Sequence, residues 1–566
     1  MIESAATTSA PSKELLSIED LPDEVLEFVL GFLPPYKDIH DCMLVSKRWR
    51  RCVRNVIKIK RRNLNKAIND FDIVWKTITP AAMAPTITKR YSHSAAVHDN
   101  SMYVFGGCTC SMTTFNDLWR LDLSKRLWVR PLTMGTYPSP KACSTMVCYK
   151  DSLVLFGGWT YPPSYPLHQS WHLFNELHTY DIKANRWTCI NTAVTPPPTA
   201  GHSVSIHGNW MVIFGGLQRA SNVVHSTKTN DIWKLNLETW NWYKQETFGH
   251  LKPQERYGQS QTVLDDENVL IMGGSGGPQI FFSDIWILNM KGNHWKWIKV
   301  EVRNSHHAPP NLWCNPVCKI EDKLIVLSKS RQNPQSPFMF ISRGVWTPPV
   351  DPRGDNRGEL LQRRPGRIDM ADRVVDHDEN VNGRRGTLKG VKRNNAGDEA
   401  ERQMLLSDPN KPGPSGAPEP NERMGLAAFN DPNVDVDQKM NARRLLRQEK
   451  MKLSEEKLKA KLCIAAKHKA KEFSKPKKNV LGMYVLDVAH ALDSEPYVTW
   501  MPIKDPDLER DGPEETMLYT FVSGKSELIM FGGIHKDDGS LIACTTNLSQ
   551  QVSNSLHFIT APRYVI

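Results

Sequence analysis

Glycine pairs that follow apolar stretches at a regular interval constrain the fold of this chain more than any other feature. The pairs recur every 51, 58 and 58 residues and are Gly106-Gly107, Gly157-Gly158, Gly215-Gly216 and Gly273-Gly274. After each pair comes a seven-residue segment of alternating apolar and polar residues, from NDLWRLD in the first unit to SDIWILN in the fourth. Six residues after each segment stands a tryptophan: Trp128, Trp187, Trp242 and Trp295. Alternation with a period of two is typical of strands with two different faces, so the chain repeats a unit of short strands.

Two irregular units raise the number of repeats to six. One carries KLIVLSKS in place of a glycine-ended strand and resumes only at residues 481–487 (LGMYVLD), followed by Trp500. The other reaches Gly532-Gly533 and residues 554–560 but has no tryptophan strand. We expect residues 71–79, which contain Trp75, to supply that strand and to close a ring without exposed sheet edges. Because the interval resembles the ~50 residues of kelch repeats, we predict a mostly β protein built on a six-bladed kelch β-propeller.

The repeated residues have structural interpretations. Glycine-rich loops can bind phosphates, but no Lys-Ser/Thr pair and no helical pattern follow residues 273–277. We interpret the glycines as positions of positive φ and close backbone approach, and the tryptophans as packing between blades. His93 and His202 occupy equivalent repeat positions, which indicates repeat architecture rather than a separate site.

Residues 21–53 have helical rather than strand-like periodicity. Apolar residues recur at helical spacing from Val25 to Leu33, Pro34-Pro35 ends this helix, and a second helical stretch reaches Trp49. About thirty such residues cannot bury a substantial core alone, so part of their apolar surface should be covered by another protein. The segment LPDEVLEFVLGFLPPYKDIHDCMLVSKRWRRCV resembles an F-box.

An F-box followed by kelch repeats resembles the substrate receptors of SCF ubiquitin ligases. The resemblance implies that the F-box binds the S-phase kinase-associated adaptor, which joins a cullin and a RING protein, and that the propeller binds the protein to be ubiquitinated. It also implies a non-catalytic subunit without cofactor or metal. The residues that match the F-box pattern, and that it assigns to adaptor binding, are Leu21, Pro22, Leu26, Val29, Leu30, Leu33, Pro34, Ile39, Cys42, Val45 and Trp49.

Other interpretations of the same architecture stay open at this point. The helices could be an ordinary cap on the propeller, and the propeller could be a kelch scaffold without a link to a ligase. A propeller enzyme resembling galactose oxidase would need inward Tyr and His copper ligands, which the sequence does not group.

The loops after the glycine pairs and the loops that join one blade to the next should share one face of the ring. Exposed Trp, Tyr and Arg residues dominate protein interfaces, so we predict that this face binds the protein substrate. For Arg90 and Arg256, pairing with neighbouring blades is the alternative interpretation. The predicted substrate-binding residues are Arg90, Lys141, Trp159, Tyr161, Tyr165, His168, Gln169, Trp171, Gln218, Arg219, His250, Arg256, Gln279 and Phe281.

The positive charge of the chain is concentrated in one segment. The net charge is +11, and residues 351–480 hold 29 Lys and Arg against 21 Asp and Glu. The first part of this segment is too poor in apolar residues to fold alone, whereas residues 439–473 favour helix by composition. Residues 475–478 (KPKK) fit either nuclear import or a solvated charge run. Nucleic-acid binding is disfavoured because interleaved aromatic residues are missing from the segment.

These observations predict the organisation of the chain. We expect a disordered N-terminus (1–15), an F-box (16–62), the closing strand and blades one to five (71–345), a charged disordered or helical insertion (346–479), and the rest of the propeller (480–566). Eleven cysteines without zinc-type spacing or a signal peptide indicate reduced thiols, and no apolar run reaches the ~20 residues of a membrane span. We therefore expect a cytoplasmic or nuclear protein without a membrane partner.

Overall fold

The fold is taken from a computed structural model of the chain. It describes residues 17–78, 85–109, 111, 113–161, 172–219, 226–277, 280–330, 480–503, 512–535 and 552–562. The predicted N-terminal segment 1–15 and the predicted insertion lie outside these residues. Among the helices that it describes, none is both long and apolar enough to cross a membrane.

Three helices form a module at the beginning of the described chain. They are α1 (Asp23–Leu30), α2 (Lys37–Asp41) and α3 (Lys47–Asp70), with short 3₁₀ turns at Ile18–Asp20 and Cys42–Leu44. Leu26 and Leu30 of α1 pack into one apolar core with Val53 of α3. The Ser46 side chain caps α3 by accepting a hydrogen bond from a backbone N–H of the first turn. Helix α3 extends past the predicted module end at 62 and stops at Phe71, which has a φ of 58°.

Six antiparallel sheets follow, and they form the blades of the propeller. Each blade has four main strands ordered from the axis outward. The closing strand is β1 (Val74–Ile78), and blade one contains β2 (Ser94–His98), β3 (Ser101–Phe105), β4 (Leu118–Asp122) and β5 (Leu127–Val129). Blade two contains β7 (Thr145–Tyr149), β8 (Ser152–Phe156), β11 (Leu177–Asp181) and β12 (Arg186–Cys189), with the edge strand β6 (Met134–Gly135) and the small hairpin β9 (Trp159–Thr160) and β10 (His172–Leu173).

Blades three and four repeat this plan. Blade three contains β14 (Ser203–His207), β15 (Trp210–Phe214), β18 (Ile232–Asn236) and β19 (Trp242–Gln245), below a small sheet of β13 (Thr199–Ala200), β16 (Leu217–Gln218) and β17 (Thr227–Lys228). Blade four contains β20 (Ser260–Val263), β21 (Asn268–Met272), β24 (Ile285–Asn289) and β25 (Lys296–Lys299), with the hairpin β22 (Ser275–Gly277) and β23 (Ile280–Phe281).

Blades five and six close the ring. Blade five contains β27 (Val317–Ile320), β28 (Lys323–Lys329), β29 (Leu481–Asp487) and β30 (Tyr497–Trp500), edged by β26 (Glu301–Arg303), which a 3₁₀ turn follows at Ser305–His307. Blade six contains β32 (Thr520–Ser523), β33 (Leu528–Phe531) and β35 (Leu556–Thr560), with β31 (Thr516–Met517) and β34 (Ile534–His535). Its outermost strand is β1, in which Trp75 lies opposite Ile559. The predicted six-bladed propeller is confirmed.

Aromatic side chains hold each blade to the one before it. Trp128 of β5 packs on Phe531 of blade six with ring centroids 4.9 Å apart, and Trp187 of β12 packs on Phe105 of blade one at 5.4 Å. In blade four this position belongs to Trp297, not to the predicted Trp295. The six-residue spacing predicts the wrong tryptophan, because Trp297 is the residue that lies opposite Leu288 in the pairing of β24 with β25. The turn before β25 is two residues longer than its counterparts, as Trp242 stands opposite Leu235.

The glycine pairs join blades through the backbone. The N–H of Gly107 donates to the carbonyl of Lys141, which enters the next blade, at 2.9 Å. A Cβ on Gly106 would lie 2.4 Å from that carbonyl oxygen, and both glycines have positive φ, so no side chain fits there. The predicted structural role of the glycines agrees with these contacts.

A second set of backbone contacts encircles the axis. In every blade, a single residue shortly before the inner strand has a φ between 49° and 66°. These six residues occupy equivalent positions in the repeats. Five hydrogen bonds of 2.8 to 3.1 Å link these residues from blade to blade. The members of this axial ring are Ser92, Cys143, Gly201, Gly258, Cys314 and Leu518.

Candidate functional site

The two ends of the propeller are built from different connections. One end carries the loops that follow the glycine pairs and the entries into each inner strand, and we call it the glycine face. The other end carries the short turns between the first and second and between the third and fourth strands of each blade, and we call it the turn face. Residues 331–479 connect β28 to β29, whose paired ends Lys329 and Leu481 lie at the glycine face.

The helical module packs on the turn face. The Tyr36 hydroxyl donates a hydrogen bond of 2.6 Å to Glu527, in the turn between β32 and β33. The backbone N–H of Lys37 donates to the Ser124 hydroxyl in a turn of blade one at 3.1 Å. Farther along, Leu64, Ile68 and Phe71 at the end of α3 join the apolar core of blades five and six. The module therefore sits at the end of the ring opposite the glycine face.

One buried carboxylate fastens this junction. Glu527 accepts two hydrogen bonds of 2.8 Å from the Arg126 guanidinium, which also lies 3.7 Å from the Phe558 ring centre. Burial, followed by the nearby Glu527 charge, raises the pKa of Tyr36, so its hydroxyl stays protonated and donates. Charge-assisted bonds of this kind fix orientation more strictly than apolar packing does.

The structure divides the predicted adaptor-binding residues into three groups by burial. Leu26, Leu30 and Ile39 are buried in the core of the helical module, so their assignment to the binding surface is corrected: the F-box pattern includes residues that stabilise the module itself. Val29 and Val45 are 42% and 57% exposed, and Pro22 is also exposed. The partly buried members are Leu21, Leu33, Pro34, Cys42 and Trp49. For these and the exposed members, adaptor binding stays a prediction.

Further exposed apolar residues lie beside them and are missing from the predicted list. They share the outer sides of α1 and of the turn after α2, away from α3, and are Val25, Phe28, Phe32 and Leu44. Helical periodicity could have identified the α1 members, because Val25, Phe28 and Phe32 fall on the side opposite Leu26 and Leu30.

On the glycine face, a layer of short pairings continues each blade beyond its glycine pair. Tyr91 pairs with Cys108, Ala142 with Trp159, and Tyr257 with Ser275. The residues that directly precede the axial-ring residues, together with their pairing partners, form a buried aromatic floor. Its members include Tyr91, Trp159, Tyr161, Tyr257 and Trp313.

Two tyrosines of this floor, Tyr91 and Tyr257, keep their protons, since burial raises the pKa of each. Burial is the largest cause that raises the pKa of Tyr91, whose hydroxyl lies 3.3 Å from the Tyr161 hydroxyl. Trp159 stacks edge-on against Tyr161 with centroids 4.8 Å apart. Such a floor offers neutral aromatic surface and hydroxyl groups rather than charge.

Three predicted substrate contacts are instead buried ion pairs within single blades. Arg90 is fully buried and makes two hydrogen bonds of 2.7 and 3.0 Å to Asp117. Arg256 and Asp284 repeat the arrangement at 2.6 and 3.0 Å. Neither side chain pairs with a neighbouring blade, which only the backbone reaches, for example where the Gly533 N–H donates to the Arg90 carbonyl. For these two side chains, both interpretations offered by the sequence are therefore wrong.

Lys141 takes the same place in blade two. Its ammonium lies 2.6 Å from Glu176, and burial lowers its pKa although the carboxylate opposes this shift. Burial pushes the pKa of Asp117 up, but the hydrogen bonds and charge of Arg90 bring it below its usual value. These three cations stabilise the entry into the inner strands of blades one, two and four and are not available to a substrate.

The remaining predicted substrate contacts occupy several environments. Trp159 is fully buried, and Tyr161 and Gln218 are nearly so, because these side chains belong to the floor and to the small sheet of blade three. Arg219 and Phe281 are partly exposed on the glycine face. His250 is exposed but comes two residues after Phe248, which bridges the outer strand of blade four, so it lies at the outer edge. The predicted residues outside the described part of the chain are Tyr165, His168, Gln169, Trp171 and Gln279.

Residues that the sequence missed make up much of the described glycine face. Tyr91 and Tyr257 follow the two arginines directly and share one repeat position, a signal that the alignment of the repeats contained. His172 and Ile280, in the small hairpins of blades two and four, are exposed at the rim. An aromatic floor with a polar and apolar rim resembles the composition of protein interfaces.

Two buried histidines of the propeller, His93 and His202, stay neutral. Burial lowers the pKa of His93 and of His202 to about 3. The side chains contact Thr520 at 2.9 Å and Thr145 at 2.7 Å, in the inner strands of the preceding blades. Across the described ranges, no group of three or more His, Cys, Asp or Glu side chains is arranged to hold a metal ion.

Comparison with known families agrees with both modules. The F-box-like family model matches residues 18–66, and the model described as FBX42, beta-propeller domain, matches residues 90–295. Kelch domain-containing protein 1 of Mus musculus is 29% identical over 45% of this chain and 63% of its own length. The same protein of Homo sapiens is 28% identical over 42% of this chain and 60% of its own length. This chain thus covers less than two thirds of these relatives.

The combination of the two modules indicates a general class of function. An F-box with a propeller fits an SCF substrate receptor in general, and this architecture is typical of non-catalytic substrate adaptors. The chain is therefore an F-box and kelch-repeat protein whose propeller is related to that of FBX42.

Proposed function

We propose that the protein is the substrate-recognition subunit of an SCF-type ubiquitin ligase. The observation that carries this proposal is the placement of its two candidate surfaces at opposite ends of the ring. The helical module packs on the turn face through Tyr36 and the end of α3, so the glycine face is left for a second protein. A receptor needs this separation, since a surface that holds the ligase cannot also hold the target.

The adaptor side of the proposal rests on exposed apolar side chains. Phe28 and Val29 of α1 and Val45 after α2 are 42% to 57% exposed. Because the module is small, we expect another protein to cover this apolar surface. Apolar patches of this kind mark protein interfaces. We propose that these residues contact the adaptor, which brings the cullin and RING protein.

The substrate side rests on the glycine face. Its floor is aromatic and its rim includes the exposed His172 and Ile280 and the partly exposed Arg219. Aromatic and arginine side chains dominate binding energy at protein interfaces. A folded protein or peptide presented by the target therefore suits this face better than a small metabolite would.

The adaptor test uses exposed residues, because Leu26→Ala or Leu30→Ala would leave a cavity in the module core. The full-length protein and a Phe28→Ala, Val29→Ala, Val45→Ala variant are mixed with purified adaptor and cullin, and the captured complex is quantified. A matched control replaces three exposed apolar residues of the outer ring by alanine, namely Leu132, Phe248 and Leu251. We expect capture to drop at least about tenfold only in the first variant. Equal capture by both variants contradicts adaptor binding at this surface.

The substrate test compares ubiquitinated proteins in cells that carry each variant. Targets are those whose ubiquitination falls with the Phe28, Val29, Val45 variant and also with an Arg219→Ala, Ile280→Ala variant of the glycine face. The outer-ring control should leave their ubiquitination unchanged. If the adaptor binds but no protein meets both criteria, the chain is a kelch scaffold rather than a receptor.

A further inference from the structure

Helix α3 carries an unusual concentration of positive charge. Its 24 residues include ten Lys and Arg but a single acidic residue, Asp70, at its last position. One side of the helix is buried, first against α1 through Cys52 and Val56 and then against the propeller through Leu64. Five exposed cations lie on the other side, within an arc of about 100°. We call Lys47, Arg54, Lys58, Arg61 and Arg62 the basic stripe.

The charges of the basic stripe have no acidic counterpart in the described part of the chain. Throughout the described ranges, no Asp or Glu lies within ion-pair distance of any of the five. Their neighbours behave differently: Arg48 and Arg51 both bind Asp23. Among the described residues, the five charges of the stripe are thus left without a compensating acid.

The arrangement is also unfavourable for the helix itself. Arg54 and Lys58, and Lys58 and Arg62, are like charges four residues apart, a spacing that destabilises a helix by about 0.2 to 0.5 kcal/mol per pair. Lys47 lies at the helix N-terminus, where the helix dipole disfavours a cation. Packing of α3 requires none of these side chains, because all five are exposed. A ligand of opposite charge would relieve this repulsion, and the relief would contribute to its free energy of binding.

We propose that the basic stripe binds an acidic segment of a partner protein. The five cations form one row about 22 Å long, which matches the single row of carboxylates along an acidic helix or extended chain. Three of them are arginines, whose forked donors fit carboxylates. Contact with the adaptor through α1 is not required, so this site is independent of the proposed function.

Two other anionic partners fit the row less well. Single-stranded nucleic acid uses aromatic side chains on which bases stack, and the exposed side of α3 between Lys47 and Arg62 carries Asn55 but no aromatic residue. A membrane surface favours cations next to apolar side chains that enter the lipid, and Asn65 and Asn69 continue the row instead.

The test measures binding of a fluorescent polyglutamate peptide to the full-length protein. The stripe variant carries Arg54→Gln, Lys58→Gln, Arg61→Gln and Arg62→Gln. The matched control removes the same charge from exposed lysines of the propeller, through Lys89→Gln, Lys252→Gln, Lys291→Gln and Lys296→Gln. Thermal unfolding verifies that both variants fold, which exposed substitutions should permit.

We expect the stripe variant to bind the peptide about tenfold more weakly or worse, as four weak exposed ion pairs together would give. The control should bind like the wild type, and about 0.15 M salt should weaken binding relative to low salt. Equal weakening in both variants would reveal a net-charge effect and overturn the site. Stripe-dependent binding of duplex DNA or anionic vesicles, without binding of the peptide, would overturn the acidic-protein partner.

Discussion

Replacing His202 by glutamine should remove part of the acid sensitivity of the propeller without unfolding it. His202 Nε2 lies 2.7 Å from the Thr145 hydroxyl, in the inner strand of the blade before it. At the equivalent position of the next blade, Gln259 donates a hydrogen bond of 3.1 Å to the Ser203 hydroxyl. The repeats thus already contain the glutamine version of this contact, so His202→Gln should keep it at pH 7.

The magnitude follows from the pKa of the buried ring. Burial lowers the pKa of His202 to about 3, whereas an unfolded histidine has a pKa of about 6.5. Between these values the unfolded chain binds a proton that the folded ring excludes, so the free energy of unfolding rises with pH in this window. Stability from this group is complete above about pH 6.5 and is lost as pH falls towards 3. From pH 7 to pH 5 the loss is about 2 kcal/mol for one histidine.

Urea unfolding at pH 7 and pH 5 measures the effect. His202→Gln should have nearly wild-type stability at pH 7 and lose about 2 kcal/mol less than the wild type on acidification. His250→Gln, which removes an exposed histidine, is the matched control and should keep the wild-type dependence. The reasoning is refuted if the His202 variant and the wild type lose the same stability between the two pH values.

Two further substitutions probe how the blades are held. Arg90→Ala leaves Asp117 buried without its cation and should cost about 3 to 5 kcal/mol in chemical unfolding, whereas Lys150→Ala at an exposed pair should leave the midpoint unchanged; similar midpoints would contradict a structural ion pair. Gly107→Ala combines a φ of 88° with a backbone oxygen 2.8 Å from the new Cβ and should cost more than about 2 kcal/mol. Gly208→Ala, with positive φ but no atom within 4 Å, should cost only about 1 kcal/mol, and equal losses would show that close approach is unimportant.

The fold could be predicted because the propeller repeats its local pattern. Five glycine pairs, six sets of alternating strands and one tryptophan per blade are local signals, and their repetition leaves little choice of architecture. The prediction went wrong where a turn changed length. Trp295 has the expected spacing, but two extra residues before β25 place Trp297 opposite Leu288, and spacing alone cannot reveal which of two nearby tryptophans faces the preceding blade.

The candidate site was less predictable because a loop position does not determine exposure. Arg90 and Arg256 stand in connections between blades, yet each is buried and forms an ion pair with an aspartate of its own blade. That aspartate follows 27 residues after Arg90 and 28 residues after Arg256. Comparison of the repeats could have found these acids, since Lys141 has Glu176 at the matching position. Tyr165 and Trp171, which lie outside the described residues, belong to a segment whose length and composition carry no such internal repeat.

The path of α3 decides how the two candidate surfaces are related. Its first half belongs to the core of the helical module through Val53, and its last half belongs to the core of blades five and six through Leu64 and Ile68. After Phe71 the chain enters β1 within three residues, and β1 completes blade six by pairing with β35. A continuous helix and a ring-closing strand therefore take the place of a flexible linker. A target on the glycine face is consequently held at a fixed distance from whatever binds the helical module. If the protein is the proposed substrate receptor, reach towards the lysines of different targets must come from the target or from the rest of the ligase, not from motion between the helical module and the propeller.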